Sequence, residues 1–221
     1  MTLADPLRPA LDAGLAQLGL VLAPQQRDSL LRYLSLIAKW NQVYNLTAVR
    51  EPAQMLTQHL LDCLAAVTPL QQHLAPLGGA VRLLDVGAGA GLPGAVFAQM
   101  LGDRVSVTCV DAVAKKAAFV AQVAAELGLK NLLGLHARVE SLPGPYEVIV
   151  CRAFATLADF VRGSQRALAP GGVWLAMKGR RPEEEIAALP RAVEVFAVEP
   201  LKVPGLDAQR CLVWMRPRAA A

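Results

Sequence analysis

The sequence is poor in several features that mark other classes of protein. Its apolar stretches are broken by charges or glycines well before the roughly 18 residues needed to cross a bilayer, so we expect no transmembrane helix. The N-terminal segment MTLADPLRPALDAGL lacks a basic start followed by an apolar run, so we expect no signal peptide. Histidine is rare, with three residues in 221, and no His cluster or CxxC pair occurs. Metal and disulfide frameworks are therefore not expected.

Cysteine is also scarce. The four cysteines are scattered along the chain at Cys63, Cys109, Cys151 and Cys211. Three of them lie within apolar, strand-like runs, where a free cysteine usually behaves as a small hydrophobic side chain. This usage indicates a reducing compartment, and we expect a cytoplasmic protein.

Charge is low as well, at 18% of residues, with a net charge of +4 and a pI near 9.0. This mild basicity permits a nucleic-acid partner, whose phosphates attract Lys and Arg, but does not require one. Apolar residues make up 54% of the chain, which argues against extensive disorder. The length suits one domain of moderate size, alone or with an appendage.

Residues 1–76 have a helical pattern and are expected to form a region that packs on a catalytic domain at 77–221. Leucines recur at helical spacing, Pro24 suits the first turn of a second helix, and Glu51-Pro52 suits the start of a third. The polar stretch Asn41–Leu46 predicts a turn between them.

From Ala80 onwards, short β-branched runs alternate with helical segments. Strands are predicted at Val81–Val86, Val105–Val110, Asn131–His136, Glu147–Cys151, Val173–Met177, Val193–Val203 and Cys211–Met215. Helices are predicted at Gly94–Leu101, Ala114–Leu127, Thr156–Leu168 and Pro182–Ala188. Only Pro204–Arg210 joins the last two strands, so these strands should be antiparallel. The pattern predicts an α/β fold with a mostly parallel, seven-stranded, doubly wound sheet whose last strand is antiparallel.

The strongest local motif is the glycine-rich segment Leu83–Gly94, between the first predicted strand of the sheet and the next helix. Its Gly89-x-Gly91-x-x-Gly94 spacing matches dinucleotide-binding loops, but that match alone is weak. A ligand on such a loop lies outside the carboxyl end of the strand. The loop therefore predicts a cofactor site and leaves two cofactors in competition.

Three features favour S-adenosylmethionine over NAD. Asp85, at the end of the strand, would repel a pyrophosphate but suits the cationic amino group and sulfonium of the methyl donor. Asp111 ends the second strand and could accept both ribose hydroxyls, although this feature fits NAD too. The reversed last strand is typical of the methyltransferase variant of the doubly wound sheet. We therefore expect a Rossmann-like methyltransferase domain.

Several short motifs, in order, resemble those of the bacterial glucose-inhibited division protein B family, the 16S ribosomal RNA guanine-N7 methyltransferases. They are Trp40-Asn41-x-x-Tyr44-Asn45-Leu46-Thr47, His59-x-x-Asp62, Asp85–Gly94, Lys115-Lys116 with Phe119, Arg138-Val139-Glu140, Arg152-Ala153-Phe154, Lys178-Gly179 and Val203-Pro204-x-Leu206 to Arg210. The resemblance covers about residues 25–216. Cys63 and Ala112 depart from it, each standing where serine is common.

The resemblance implies methylation of the N7 position of a guanine in 16S ribosomal RNA, namely guanine 527 of the 530 loop. It implies that S-adenosylmethionine contacts Gly87, Leu92, Val139, Glu140 and Arg152. The glycine-loop argument adds Asp85, Gly89, Gly91 and Asp111 to the expected cofactor site. Arg152, at the end of the fourth strand, is the candidate catalytic residue, positioning either the donor's carboxylate or the target base, with a surface salt bridge as the alternative.

The expected partner is 16S ribosomal RNA or the small ribosomal subunit, with no membrane and no stable protein partner, and a monomer by default. Candidate RNA contacts are Asn45, His59, Lys178, Arg180, Arg181 and Arg210. Each has a plain alternative: solvated charges for the basic residues, a helix cap for Asn45, and a buried, hydrogen-bonded ring for His59.

Other methyl acceptors fit less well. A pyrimidine carbon-5 requires a nucleophilic cysteine, usually after proline, and no proline precedes Cys151. Exocyclic amines usually call for an Asn/Asp-Pro-Pro-aromatic motif, whereas this chain has Arg152-Ala153-Phe154. Guanine N7 bears no proton and needs no general base. A small-molecule methyltransferase and, as a different class, an NAD-dependent oxidoreductase stay open as alternatives.

Overall fold

The computed structural model describes residues 4–154 and 156–219. Residues 1–3, 155, 220 and 221, which the predicted regions 1–76 and 77–221 include, lie outside them. The N-terminal region is helical, as predicted, with α1 (Ala4–Gln17), α2 (Pro24–Tyr44), α3 (Pro52–Met55), a π-helical segment (Leu56–Leu61), α4 (Asp62–Ala65) and α5 (Val67–Leu74). None of the helices in the described part of the chain is long and apolar enough to span a membrane.

The remainder alternates strands and helices around one sheet. The strands are β1 (Val81–Val86), β2 (Val105–Asp111), β3 (Leu132–His136), β4 (Tyr146–Arg152), β5 (Leu168–Lys178), β6 (Val193–Leu201) and β7 (Arg210–Pro217). The helices are α6 (Gly94–Leu101), α7 (Ala114–Leu127), α8 (Leu157–Ser164) and α9 (Glu183–Ala187). The strand order is β3-β2-β1-β4-β5-β7-β6, and β7 runs antiparallel to both of its neighbours. The predicted sheet with a reversed last strand is confirmed.

Several predicted boundaries were wrong, most clearly in two regions. The turn expected at Asn41–Leu46 begins late, because α2 continues to Tyr44 and ends at Asn45, whose φ of 50° places it in the left-handed conformation of a helix cap. The helix expected over Thr156–Leu168 ends at Ser164, and β5 begins at Leu168 rather than at Val173, because Leu168 pairs with Tyr146 of β4 ahead of a local irregularity. Tertiary pairing prevailed over local propensity in this segment.

Alternating residues of the central strands divide the core into two layers. Leu83 belongs to the core formed with the N-terminal helices, α6 and α7, whereas Leu84 belongs to the core on the opposite face with Phe160 of α8. Successive side chains of a strand point to opposite faces, which accounts for this division. The N-terminal helices therefore share one core with the sheet, and their outer turns reach its carboxyl edge.

Candidate active site

The glycine-rich loop leaves the carboxyl end of β1 and turns back over β2. Gly87, Gly89 and Gly91 have φ values of +66°, +59° and +80°, a region that strongly favours glycine. The backbone N–H groups of Gly87 and Ala88 both donate to the carbonyl of Val110, at 2.9 and 3.2 Å. The motif thus adopts the tight strand-to-helix turn that its spacing predicted.

Asp85 lies beneath this loop and is fully buried. Its Oδ2 accepts a hydrogen bond from the backbone N–H of Gly94 at 2.8 Å, at the start of α6. A Cβ on Gly94 would lie 2.8 Å from that oxygen and 2.5 Å from Cys109 Sγ, so no larger residue fits without movement. The structure places this carboxylate where it shapes the loop, and the contact with the cofactor's cationic groups stays a prediction.

The other oxygen of Asp85, Oδ1, is buried with no hydrogen-bond partner among the described residues. Burial raises the pKa of this carboxyl from 3.8 to about 7, although the Gly94 N–H and the charge of Arg152 oppose the shift. A buried carboxylate that keeps one oxygen unpaired is stable only when partly protonated or when a cation approaches.

Asp111 supports the loop from the end of β2. Its Oδ2 accepts from the Gly89 N–H at 3.0 Å, and its Oδ1 accepts from the Val113 N–H at 2.9 Å. Lys116 Nζ lies 3.7 Å from Oδ2. These contacts hold the carboxylate in one orientation at the edge of the predicted cofactor site.

A cavity of about 320 Å³ opens beside these groups. Its wall includes four predicted cofactor residues, Gly87, Asp111, Val139 and Glu140, together with Phe154. The Phe154 ring covers Gly87, with Cδ2 only 2.9 Å from where a Gly87 Cβ would stand. Sequence reasoning placed these residues correctly at one edge of the sheet, and the structure brings them together. We call this space the loop cavity.

The other predicted cofactor residues lie around the loop cavity rather than in its wall. Gly91 and Leu92 are on the buried side of the loop, and Leu92 is 5% exposed. Gly89 is connected to the cavity wall by the hydrogen bond that its N–H donates to Asp111 Oδ2. Arg152 faces a neighbouring space. Their contacts with the cofactor stay predictions.

That neighbouring space is a second cavity, of about 460 Å³, which we call the Arg152 cavity. Its lining includes Thr47, His59, Asp62, Arg152, Lys178 and Arg210, from the N-terminal helices, β4, β5 and β7. The two cavities adjoin along the segment Arg152–Phe154, because Arg152 and Ala153 line one and Phe154 lines the other. Ala153 has a φ of 54°, which marks the sharp turn in this segment.

Asp62 is the residue around which the Arg152 cavity is organised. It is 3% exposed, and its two oxygens accept from different arginines: Oδ2 from Arg152 Nη1 at 3.1 Å and Oδ1 from Arg210 Nε at 3.0 Å. Arg152 Nη1 also donates to the Gln58 carbonyl at 2.8 Å. Asp62 belonged to a sequence motif, yet the motif alone assigned it no role.

His59 is buried and uncharged. Its Nε2 lies 2.8 Å from Thr47 Oγ1, and the Thr47 N–H donates to Asn41 Oδ1 at 2.9 Å. Burial, followed by the charge of Arg152, lowers the pKa of this imidazole to about 4. His59 therefore does not bring a positive charge to RNA at neutral pH. Asn41 and Thr47, which sequence reasoning left without a role, hold the loop that follows α2.

The basic residues after β5 are partly neutralised by nearby carboxylates. Lys178 Nζ lies 3.0 and 2.8 Å from the two oxygens of Glu185, and Arg181 pairs with Glu183 at 2.7 Å. Arg180 is exposed and makes no hydrogen bond or ion pair with the described residues. Asn45 caps α2 and accepts from Arg50 at 3.0 Å. RNA contacts for these residues stay predictions.

Tyr33 is a further residue that sequence reasoning missed. It is fully buried on α2, and its hydroxyl donates to the carbonyl of Ala90 in the glycine loop at 2.6 Å. The only signal in the sequence was its position within a helical apolar pattern, which predicts burial but not this bond. The N-terminal helices thus brace the loop directly.

The sheet order, the reversed β7 and the glycine loop after β1 together define a Rossmann-like methyltransferase fold. Known structures share it. TrmN from Thermus thermophilus matches with a TM-score of 0.54 and 21% identity, over 70% of this chain and 49% of that one. A methyltransferase from Geobacter sulfurreducens in complex with S-adenosyl-L-homocysteine matches with a TM-score of 0.52 and 17% identity, over 69% of this chain and 90% of that one.

Sequence comparison identifies the particular family. The family described as rRNA small subunit methyltransferase G matches residues 26–213, and the chain belongs to it. Relatives with that name include proteins from Paracidovorax citrulli, 59% identical over 99% of this chain and 93% of that protein, and from Albidiferax ferrireducens, 62% identical over 96% and 98%. The family resemblance drawn from the sequence motifs is confirmed.

Proposed function

We propose that this chain transfers a methyl group from S-adenosylmethionine to N7 of a guanine in 16S ribosomal RNA. The observation that carries the proposal is the pair of cavities that adjoin across Arg152–Phe154, in a chain of the rRNA small subunit methyltransferase G family. Transfer needs a donor and an acceptor held close and in line. Adjoining cavities at the carboxyl edge of the sheet meet that requirement.

The residues of the loop cavity suit S-adenosylmethionine. Gly87 brings no side chain of its own into the cavity, where the Phe154 ring lies against its Cβ position, and the oriented Asp111 carboxylate suits ribose hydroxyls. Glu140 and Val139 offer a carboxylate and an apolar contact on the opposite wall. When bound, the donor supplies a methyl group on a sulfonium. The cavity volume lies at the lower end of the range for small-molecule sites, about 300–1,000 Å³.

The chemistry of the site favours an acceptor that needs no base and no covalent intermediate. His59 is bonded to Thr47 and has a pKa of about 4, and Cys151 is buried, which raises the pKa of its thiol. A pyrimidine carbon-5 mechanism requires a reactive thiolate, which Cys151 does not provide. Guanine N7 attacks with a lone pair in the ring plane, so positioning by the site is sufficient.

The test is a reaction of the purified chain with S-adenosylmethionine and 16S ribosomal RNA, offered as naked RNA, as an assembly intermediate and as assembled small subunits. We expect 7-methylguanosine in the nuclease digest by mass spectrometry, from at least one of the three. Asp111→Ala should lose S-adenosylhomocysteine affinity by about tenfold or more, because a charged hydrogen-bond acceptor is removed. Absence of 7-methylguanosine from all three substrates would defeat the proposal.

The two alternatives give different results in the same experiments. A small-molecule methyltransferase binds S-adenosylhomocysteine but modifies none of the RNA substrates, and an oxidoreductase binds NAD in calorimetry and ignores S-adenosylhomocysteine. The proposal also implies a cytoplasmic chain, where ribosomal RNA is modified.

A further inference from the structure

We propose that the Arg152 cavity receives the target guanine, and that Asp62 positions the two arginines in its wall. This inference rests on the proposed function and specifies where its acceptor binds. Nothing in the sequence motifs distinguished the two cavities.

The Arg152 cavity lies next to the loop cavity. Four of the predicted cofactor residues line the loop cavity, and the Arg152 cavity adjoins it along Arg152–Phe154. A methyl group held in the loop cavity moves a bond length or two during transfer, so the acceptor must lie directly beyond that segment. Ala153, which has a positive φ and a small side chain, lies in this segment and lines the Arg152 cavity.

The lining of the Arg152 cavity combines apolar and basic side chains. Met177 and Leu201 are apolar residues in the lining of the Arg152 cavity, where a flat base can pack, and Arg210 pairs with Leu201 across β6 and β7. Guanine presents O6 as a hydrogen-bond acceptor next to N7. Arg210 uses Nε on Asp62 and Nη1 on the Gln209 carbonyl, which leaves Nη2 without a partner among the described residues. That group can donate to O6 while N7 stays free for methylation.

Asp62 lies buried in the wall of the Arg152 cavity. A carboxylate this deeply buried is costly unless it is paired, and it is paired with two arginines from strands β4 and β7. Asp62 holds Arg152 and Arg210 in a fixed position relative to each other. Arg152 lies nearer the cofactor, and Arg210 lies nearer the acceptor. Asp62 therefore acts as a positioning residue that aligns the two halves of the reaction.

The decisive experiment fills the cavity. Gly179 lies at its lining, and a Cβ there would meet only the Gln209 carbonyl, at 3.9 Å, so a side chain can branch from this position into the cavity without a close contact at its first carbon. Gly179→Leu should lower kcat/KM for 16S ribosomal RNA about tenfold or more, with S-adenosylhomocysteine affinity and the unfolding midpoint unchanged. Gly78→Leu is the matched control, because no atom lies within 4 Å of its Cβ position and it is outside both cavities.

A second set of variants tests the positioning role. Arg210→Gln should raise KM for the RNA about fivefold to tenfold and leave S-adenosylhomocysteine affinity unchanged, because it loses one charged donor. Asp62→Asn should raise both KM and the dissociation constant of S-adenosylhomocysteine severalfold, because both arginines lose their shared carboxylate. Asp12→Asn is the control: Asp12 pairs with Arg27 at 3.1 Å on the helices, away from the cavities.

The outcomes separate this inference from the proposed function. A wild-type chain that methylates guanine N7, together with a Gly179→Leu variant of equal activity, overturns the inference alone. A wild-type chain that forms no 7-methylguanosine overturns both. If Gly179→Leu fails to fold, Arg210→Gln decides: an unchanged KM for RNA counts against the cavity. An Asp62→Asn variant with normal KM and normal cofactor affinity removes the positioning role.

Discussion

The loop cavity and the Arg152 cavity lie side by side but are built in different ways. The frame of the loop cavity is local: the turn after β1 folds onto Val110 and Asp111, and its hydrogen bonds come mostly from the backbone. The Arg152 cavity is held by side chains far apart in sequence, with Asp62 bonded to residues 90 and 148 positions away. The first depends on glycine geometry and close packing, and the second depends on charge pairing with the N-terminal helices.

The two cavities should respond differently to substitution. Packing around the glycine loop leaves no room for an added carbon at Gly94. A substitution there should therefore cause a large loss of stability. The charge pairs of the Arg152 cavity share the buried Asp62, so losing that carboxylate should disturb both arginines, whereas losing an exposed basic side chain should change little because solvent compensates.

Gly94→Ala should have the largest effect. The added Cβ would lie 2.5 Å from Cys109 Sγ and 2.8 Å from Asp85 Oδ2, and all three positions are buried. We expect a loss of about 3 kcal/mol or more in the free energy of unfolding, measured by urea denaturation, because overpacking of a dense core is costly. Gly78→Ala serves as the control, and equal stability of the two variants would contradict a tightly packed loop.

Asp85→Asn should change how stability depends on pH. Burial raises the pKa of Asp85 to about 7 in the folded chain, above its ordinary value of 3.8, so the folded state favours the protonated form. This contribution is present in full below about pH 4 and is lost as pH rises through 7. Between pH 5 and pH 8 the wild type should lose about 2–3 kcal/mol from this group.

Asp85→Asn lacks that proton equilibrium, so its unfolding free energy should fall less over the same interval when other groups are left unchanged. Urea denaturation of both chains at pH 5 and pH 8 measures the difference. Identical pH dependence would mean that Asp85 titrates normally and that its buried position does not penalise the charge.

Tyr33→Phe tests whether the helices brace the loop. The substitution removes one buried hydrogen bond to the Ala90 carbonyl and leaves that carbonyl unpaired, at a cost of about 1–2 kcal/mol. We expect S-adenosylhomocysteine affinity to fall about fivefold in calorimetry, since the loop loses its support. Tyr44→Phe, on the same helix but partly exposed, is the control. Equal affinity in both variants would limit Tyr33 to packing.

Arg180→Gln should have the smallest effect. Arg180 is exposed and follows β5 on the edge that carries both cavities. Loss of one phosphate contact should weaken RNA binding by about threefold and reduce the slope of log affinity against log salt by about one. Arg166→Gln, just before β5 at the opposite end of that strand, is the control. The same salt slope in both variants would place the RNA elsewhere.

Much of the fold was predictable because its signals are local. The alternation of strands and helices identified the sheet, and the short link before Cys211 identified the reversed strand. The start of α6 at Gly94 and both ends of α7 were predicted to the residue. The early start of β5 was missed, because Leu168 becomes a strand residue only through its pairing with Tyr146.

The site was predictable in part, for the same reason. Parallel strand ends meet at one edge of a sheet, so residues at or just after those ends were expected to share a cavity. They are Gly87, Asp111, Val139 and Glu140. The roles of Tyr33 and Asp62 were not expected, because each depends on a partner from a distant part of the chain. Charge counts also do not reveal pairing: Lys178 and Arg181 are basic in sequence, and in the structure they pair with Glu185 and Glu183.

The sheet and the glycine loop follow from the sequence alone, because side-chain periodicity and glycine backbone freedom act over a few residues, and the order of the short motifs indicated the family. Only the tertiary structure decided that Asp85 lies buried under the loop, that His59 is neutral, and that Asp62 joins Arg152 to Arg210. Those properties arise from burial and from charges brought together across the fold, and neither exists in the chain until it is folded.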